Sequence, residues 1–277
     1  LEGERKQVTV LFADLKGSTE LIRDLDPAVR ACYASLAMQA ALRRYAEEVR
    51  RRATLEGRGT TPIVAHAWVD HLYLVKGDLE HAIRVCDQGL ALCRAAGDRN
   101  WLRGIAASLG YAYALQGRLA EGYALLEEGI SESIRPGALA RRAGWVAWLS
   151  EVGRLAGRGE EAWQYARQAL DLARQQKARG DEALALHQLG VVHAHADPPD
   201  VAQAAAHYQQ ALVLAEELGM RPLQAHCYRG LGTLYVATGQ REQARTELTT
   251  AIEMYRAMEM TFWLPETEAT LAEVEKR

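Results

Sequence analysis

The sequence predicts an all-α superhelical solenoid of about five long helix hairpins. Three observations carry the expectation. Helix formers dominate 277 residues that hold only seven prolines and two phenylalanines. Five short turns recur along the chain, with first turn residues Gly77, Gly117, Gly157, Asp197 and Gly239, spaced 40, 40, 40 and 42 residues apart. The one convincing strand, Gln7 to Ala13, lies outside that repeat.

Each turn sits between two helical patterns. "LRGIAASLGYAYALQ" precedes Gly117, and "VAQAAAHYQQALVLAEEL" follows Asp197. A Gly or Asp there suits the residue just past a helix C-terminus, where a positive φ is often required. The 42-residue interval coincides with the extra Pro198-Pro199. A last helix, Pro265 to Lys276, is rich in Glu, as expected of a solvent-facing cap. The sequence thus divides into an opening segment at 1–27, a helix at 28–56, repeats at 60–260 and a cap at 261–277.

The repeat details resemble tetratricopeptide repeats, which carry Leu-Gly and then an aromatic on the first helix, and Ala, a large residue and Ala on the second. Leu231, Gly232 and Tyr235 with Ala244, Leu248 and Ala251 fit this pattern. So do Leu109, Gly110 and Tyr113 with Gly122, Leu126 and Gly129, and Leu189, Gly190 and His193 with Ala204, Tyr208 and Ala211. Asp70 and Ser150 stand where two further glycines are expected, while Tyr73, Ala82, Ala162 and Ala169 fit. Small residues let helix backbones approach closely. The units exceed the 34 residues usual for the family, and resemble the long variant found in large bacterial signalling regulators. The resemblance implies a right-handed superhelix whose concave face binds a peptide or partner protein. Its register places His71, Tyr111, Glu151, Arg154, Leu155, His187, His195, His226, Arg229 and Thr233 on that face.

The opening segment, "GERKQVTVLFADLKGSTELIRDLDP", resembles the start of the class III adenylate/guanylate cyclase domain. By motif match Asp14 is a metal ligand, with Leu15 adding its carbonyl, and Lys16, Gly17, Ser18 and Thr19 form the phosphate-contacting turn. Carboxylate oxygen suits a hard divalent cation, and N–H groups at a helix start suit a phosphate. "AVRACYASLAMQAALRRYAEEVRRR", Ala28 to Arg52, resembles a later helix of the same family. The Gly-Asp-Gly hairpin between the two pieces, with the second metal-binding Asp, is missing, as are matches for the base-selecting and transition-state residues. The resemblance therefore implies an incomplete site with no catalytic set. The strand has both edges unpaired and needs another chain or the repeats to cover it, which makes a dimer through the strand one expected partner arrangement. Asp26-Pro27 reads as a helix start, and Glu56 to Gly59 as the linker into the solenoid.

Other readings narrow the function. The formal net charge of -3 lacks the basic excess of a nucleic-acid binder. No apolar run approaches the ~20 residues of a membrane span, and no apolar leader precedes a cleavage site. Cys32, Cys86, Cys93 and Cys227 have no CxxC spacing, read as small core residues, and fit a reducing, cytoplasmic setting. There is no P-loop. Asp78, Asp98 and Asp181, each after a Gly, read as helix N-caps. His193 and His195 point apart on a helix and do not suggest a metal site. Trp145, Trp148 and Trp163 read as core.

The expected function is an interaction or scaffold module of a cyclase-type signalling regulator, with a peptide or protein partner, no nucleic acid, no membrane and no cofactor. The alternative is a nucleotide cyclase making cyclic AMP or cyclic GMP, its site completed by another chain; Mg²⁺ or Mn²⁺ enters only with that reading.

Overall fold

The computed structural model describes residues 61–131 and 142–276. The strand and linking helix expected before residue 60, and with them Asp14, Leu15, Lys16, Gly17, Ser18 and Thr19, lie outside the described residues. So does Cys32.

Among the described residues there are eleven α-helices and no strand. They are α1 (Thr61–Lys76), α2 (Leu79–Ala96), α3 (Arg99–Leu115), α4 (Leu119–Ser131), α5 (Arg142–Leu155), α6 (Gly159–Gln175), α7 (Arg179–Ala194), α8 (Val201–Glu217), α9 (Arg221–Ala237), α10 (Arg241–Ala257) and α11 (Leu264–Lys276). Successive helices pack pairwise, and each odd-numbered helix also packs on the next odd-numbered one. The result is a two-layer solenoid with odd helices inside. None of these helices is long and apolar enough to cross a membrane.

The hairpin turns follow the repeat. Gly77, Gly117, Gly157 and Gly239 have φ of 75°, 89°, 74° and 75°. At each, the glycine N–H and the next N–H bond back to carbonyls of the preceding helix, as Gly77 does to Leu74 (3.0 Å) and Asp78 to Tyr73 (2.9 Å). This pattern satisfies carbonyls that the helix end leaves open. Asp197 departs from the expectation of positive φ. The Asp197–Pro198 peptide is cis, and Asp200, not Asp197, closes the turn by accepting a hydrogen bond from Gln203 N at 3.0 Å. A second set of turns, between hairpins, uses positive φ at Gly97, Lys177, Gly219 and Glu259. Asp78 and Asp98 cap helices by accepting from His81 N and Trp101 N. Asp181 does not: α7 starts two residues earlier, and the Asp181 carboxylate faces Gly144.

Small residues set the spacing within hairpins. A Cβ on Gly110 would lie 2.7 Å from the Gly122 carbonyl oxygen, so the α3 and α4 backbones nearly touch. At the equivalent places Gly190 receives the ring of Tyr208, and Gly232 receives Leu248. Where the glycine is replaced, the substituent bonds to the facing helix. Ser150 Oγ donates to the Ala162 carbonyl at 2.7 Å, and Cys86 Sγ donates to Asp70 Oδ2 at 3.6 Å. Ala82, Ala162, Ala204 and Ala244 on the second helices are fully buried. Large side chains such as Leu126, Leu248 and Tyr255 fill the space between layers, each contributing roughly 1.5–3 kcal/mol by burial. Cys86, Cys93 and Cys227 are buried free thiols, and Trp145 and Trp148 are buried in the core. Trp163 is half-buried, with the Arg167 guanidinium over its ring.

The stack also meets itself. Lys76 Nζ, at the end of α1, donates to the Glu259 carboxylate at 2.5 Å, across 183 residues. Gly77 packs directly on Phe262 and Trp263 before α11, where a Cβ would overlap the Phe262 Cβ. The first turn therefore rests on the segment joining α10 to α11. Gly77→Ala and Gly117→Ala impose a similar positive-φ cost of about 1 kcal/mol, but Gly117 has open space around it. Urea unfolding should show Gly77→Ala losing at least ~1 kcal/mol more than Gly117→Ala, from the added overlap. Equal losses would mean that this contact is not made in solution. Gly122→Ala, which places a methyl group against backbone on α3, should destabilise the chain by roughly 2 kcal/mol or more in the same assay.

Candidate functional site

The inner face is built from residues three or four apart on the odd helices, which share one side of a helix. Helix α5 supplies Trp148, Glu151 and Arg154, helix α7 His187 and Gln188, and helix α9 His226 and Arg229. The side chains link from one helix to the next. Tyr111 of α3 stacks on Trp148 with ring centroids 4.6 Å apart and planes 2° from parallel. Its hydroxyl donates to Glu151 Oε2 at 2.6 Å, and Gln188 Nε2 donates to the same oxygen at 3.2 Å. His71 of α1 lies 5.9 Å from Trp148, centroid to centroid. Further along, the His187 ring lies 6.0 Å from that of His226, and His226 meets Trp263 edge to face at 4.6 Å. His226 Nδ1 is hydrogen-bonded to the Tyr255 hydroxyl at 2.7 Å. Arg229 donates to Glu266 Oε2 at 2.6 Å.

Seven of the ten residues expected on the concave face thus fall in or beside this row: His71, Tyr111, Glu151, Arg154, His187, His226 and Arg229. The other three are peripheral. Leu155 is the last residue of α5 and is exposed. His195 is the C-cap of α7, exposed, with Nδ1 2.8 Å from the Val191 carbonyl. Thr233 is exposed and donates to the Arg229 carbonyl. His193 stacks on His207 of α8, 5.2 Å away and 6° from parallel. Among the described residues no group of three His, Cys, Asp or Glu is placed to hold a metal.

Sequence reasoning reads Trp148 as core and Tyr208 as the large residue of its repeat, and does not single out Gln188, Tyr255, Trp263 or Glu266. A signal for several of them was present. The inter-helix bonds join residues one repeat apart: Tyr111 to Glu151 spans 40 residues, and Glu151 to Gln188 and Arg229 to Glu266 each span 37. On the outer layer, Tyr123 bonds to Tyr165 across 42. For these pairs, a shift of about one repeat finds the neighbour.

Burial and charge shape the electrostatics. Burial, then the Glu151 carboxylate, pushes the Tyr111 phenol well above its usual range, so it stays a neutral donor. Burial, with the Arg229 and Arg154 guanidiniums, lowers His187 to about 4. Burial, His187 and Arg229 hold His226 well below the usual 6.5. Burial also raises the Tyr208 and Tyr255 phenols. Burial therefore favours the neutral form of His187 and His226. In this row Arg154 Nε, His187 Nδ1 and Gln188 Oε1 are buried and have no hydrogen-bond partner among the described residues. They belong to the neighbouring inner helices α5 and α7, and such atoms are uncommon in proteins.

Residues 199–257 match the family model of the tetratricopeptide repeat. The fold is a tetratricopeptide-type solenoid. No curated protein matches the chain, whereas solved structures do. A Rap protein complexed with competence and sporulation factor is similar over 100% of this chain and 86% of its own, with a TM-score of 0.67 and 12% identity. BtubC from P. vanneervenii is similar over 79% of this chain and 90% of its own, with a TM-score of 0.54 and 22% identity. A signal transduction ATPase with a tetratricopeptide repeat sensor, from Pyrococcus horikoshii, is similar over 95% of this chain, with a TM-score of 0.53 and 16% identity. This chain spans 43% of that protein. At these identities the likeness concerns the fold. None of these matches supports the cyclase resemblance of residues 1–52.

A histidine kept neutral by folding makes stability depend on pH. The His187 pKa is about 4 when folded and ~6.5 when unfolded, so the unfolded chain binds the extra proton between those values. Its contribution is complete above pH 6.5 and is lost as the pH falls towards 4. Urea midpoints should drop between pH 7 and pH 4.5, with His187 contributing on the order of 2 kcal/mol. His187→Gln should flatten that slope; an unchanged slope would show that His187 is not buried neutral.

Proposed function

We propose that the tetratricopeptide solenoid binds a peptide, or an extended segment of a partner protein, on its inner face. The observation that carries this reading is the row from Tyr111 to Arg229, where aromatic rings alternate with polar groups and three buried polar atoms await partners. Aromatic faces offer contact area at low entropy cost, and polar groups fix the register of an extended chain. A concave solenoid surface is suited to such a ligand. The Rap protein, of similar fold, is complexed with competence and sporulation factor, and the Pyrococcus protein has a tetratricopeptide repeat sensor. A sensor or scaffold role in a signalling regulator is in keeping with both. Leu155, His195 and Thr233, expected from the register on the same face, are exposed and are proposed to rim the groove.

The test is a displayed random-peptide library panned against the whole chain. Selected peptides should bind Arg154→Glu and Arg229→Glu at least about tenfold more weakly, since each change puts a repelling charge at the groove. Unchanged binding by both variants would refute the groove assignment.

The cyclase resemblance motivates a second reading for residues 1–52. The Asp14 to Thr19 motif would hold Mg²⁺ or Mn²⁺ and triphosphate only if another chain completed the site. Phosphoryl transfer needs more positioning charge than one carboxylate and one turn provide, so the segment is read as inactive by itself. Incubation with ATP or GTP and Mn²⁺ should yield no cyclic nucleotide; turnover abolished by Asp14→Ala would establish the enzyme reading instead.

A further inference from the structure

Four hairpin turns carry a positive-φ glycine, yet of these only the first is covered. Nothing lies within 4 Å of a Cβ placed on Gly117, Gly157 or Gly239, whereas one on Gly77 would overlap Phe262 Cβ and lie 2.9 Å from Trp263 Cζ3. The residue before the glycine differs too. It is Lys76 at the first turn, and Gln116, Ala156 and Thr238 at the others. Lys76 Nζ donates to the Glu259 carboxylate, and the lysine side chain is only 14% exposed.

The receiving segment also departs from its counterparts. Six residues, 258–263, join α10 to α11, whereas two or three (97–98, 176–178, 218–220) join α2 to α3, α6 to α7 and α8 to α9. The longer connection is what supplies Phe262 and Trp263. Glu259 takes the positive φ of its turn, where Gly97, Lys177 and Gly219 stand in the others, and of the four it alone is acidic. Trp263 then faces two ways. Its ring edge receives Gly77, while the same ring meets His226 edge to face at 4.6 Å and lies 6.1 Å from Tyr255.

We propose that Lys76, Gly77, Glu259, Phe262 and Trp263 form a latch that closes the superhelix end to end, and that Trp263 transmits the state of the latch to His226 on the inner face. Neither α1 nor α2 packs along α10 or α11, so the closure rests on a small contact. An ion pair with one exposed partner adds little by itself; the seat of Gly77 on two aromatic side chains adds buried apolar area. In a solenoid each hairpin holds mainly its neighbours. The ends can therefore part by a slight bend spread over the stack, with every hairpin intact. With the latch shut, Trp263 is held against His226 and fixes the α9 end of the inner row. With it open, Trp263 loses one wall and the inner face widens at that end.

The test measures the end-to-end distance in the whole chain. Nitroxide labels go on Gln88→Cys of α2 and Thr249→Cys of α10, both exposed, with Cys32→Ser; Cys86, Cys93 and Cys227 are buried. Pulsed electron resonance should give one narrow distribution. Gly77→Leu wedges the seat, and Lys76→Glu sets like charges together. Each should shift the distribution to longer distances while helix content by circular dichroism stays constant. Gly117→Leu carries the same positive-φ cost in open surroundings and should cause no shift. Combining Lys76→Glu with Glu259→Lys should restore the parent distance. In Lys76→Glu the His226 ring resonances, identified by their loss in His226→Gln, should move, while those of His207 on α8 stay. Distances unchanged in both Gly77→Leu and Lys76→Glu would overturn the latch, as would an equal shift in Gly117→Leu. Longer distances with the His226 resonances in place would overturn the coupling through Trp263.

Discussion

The solenoid depends on the close approach of the two helices in each hairpin. Gly110 and Gly122 set backbone against backbone between α3 and α4, and Gly232 admits Leu248 between α9 and α10. Were these positions larger, the helices would separate, and the fully buried alanines at 82, 162, 204 and 244 would no longer fill the gap. A tightly packed hairpin presents its odd helix as a rigid rung. Rungs stacked at a constant spacing bring one repeat's inner residues onto the next. The functional row is a consequence of that spacing, since Tyr111, Glu151 and Gln188 bond only because their helices sit side by side.

The inner face combines three tasks that compete elsewhere in proteins. Its rings bury apolar area, as in the stacking of Tyr111 on Trp148. Its hydrogen bonds fix the rings, as Tyr255 fixes His226. Arg154 Nε has no hydrogen-bond partner among the described residues, which costs the free protein stability. The lowered basicity of His187 and His226 follows from the same crowding, because burial opposes a charge on either ring, joined by Arg229 and Arg154 at His187 and by His187 and Arg229 at His226. The turn at Gly77, set on Phe262 and Trp263, then brings the two ends of the row towards each other.

Much of the fold was legible because repetition amplifies weak signals. One Gly past a helix end is a modest indication; four of them in register fix a period, and all four adopt positive φ. The fourth turn was misjudged because Asp197 was aligned with glycines, while the local chain solves the turn differently, through a cis proline and an N-cap at Asp200. Asp181 was taken for a cap because Gly-Asp looks like a boundary; α7 already begins at Arg179, so the carboxylate sits inside the first turn. Within the candidate site, register placed Tyr111, Glu151, Arg154, His187, His226 and Arg229 on one face. It also admitted Leu155, His195 and Thr233, because periodicity gives direction but not depth. It misses Trp263, in the turn before α11, and Glu266, in the first turn of α11, because both fall in the segment 261–277 read as a cap.

By itself the sequence determined the helical class, the forty-residue period, the turns and the face each residue takes. These follow from local rules: propensity, helix-end chemistry and the 3.6-residue turn. Tertiary structure alone decided which inner residues meet, that Glu151 Oε2 accepts two hydrogen bonds while Arg154 Nε has no partner among the described residues, and that Lys76 reaches Glu259 across 183 residues. The reason is geometric. Small rotations between neighbouring hairpins add up along the stack, and no single repeat encodes their sum. Whether a charge finds its partner depends on that sum.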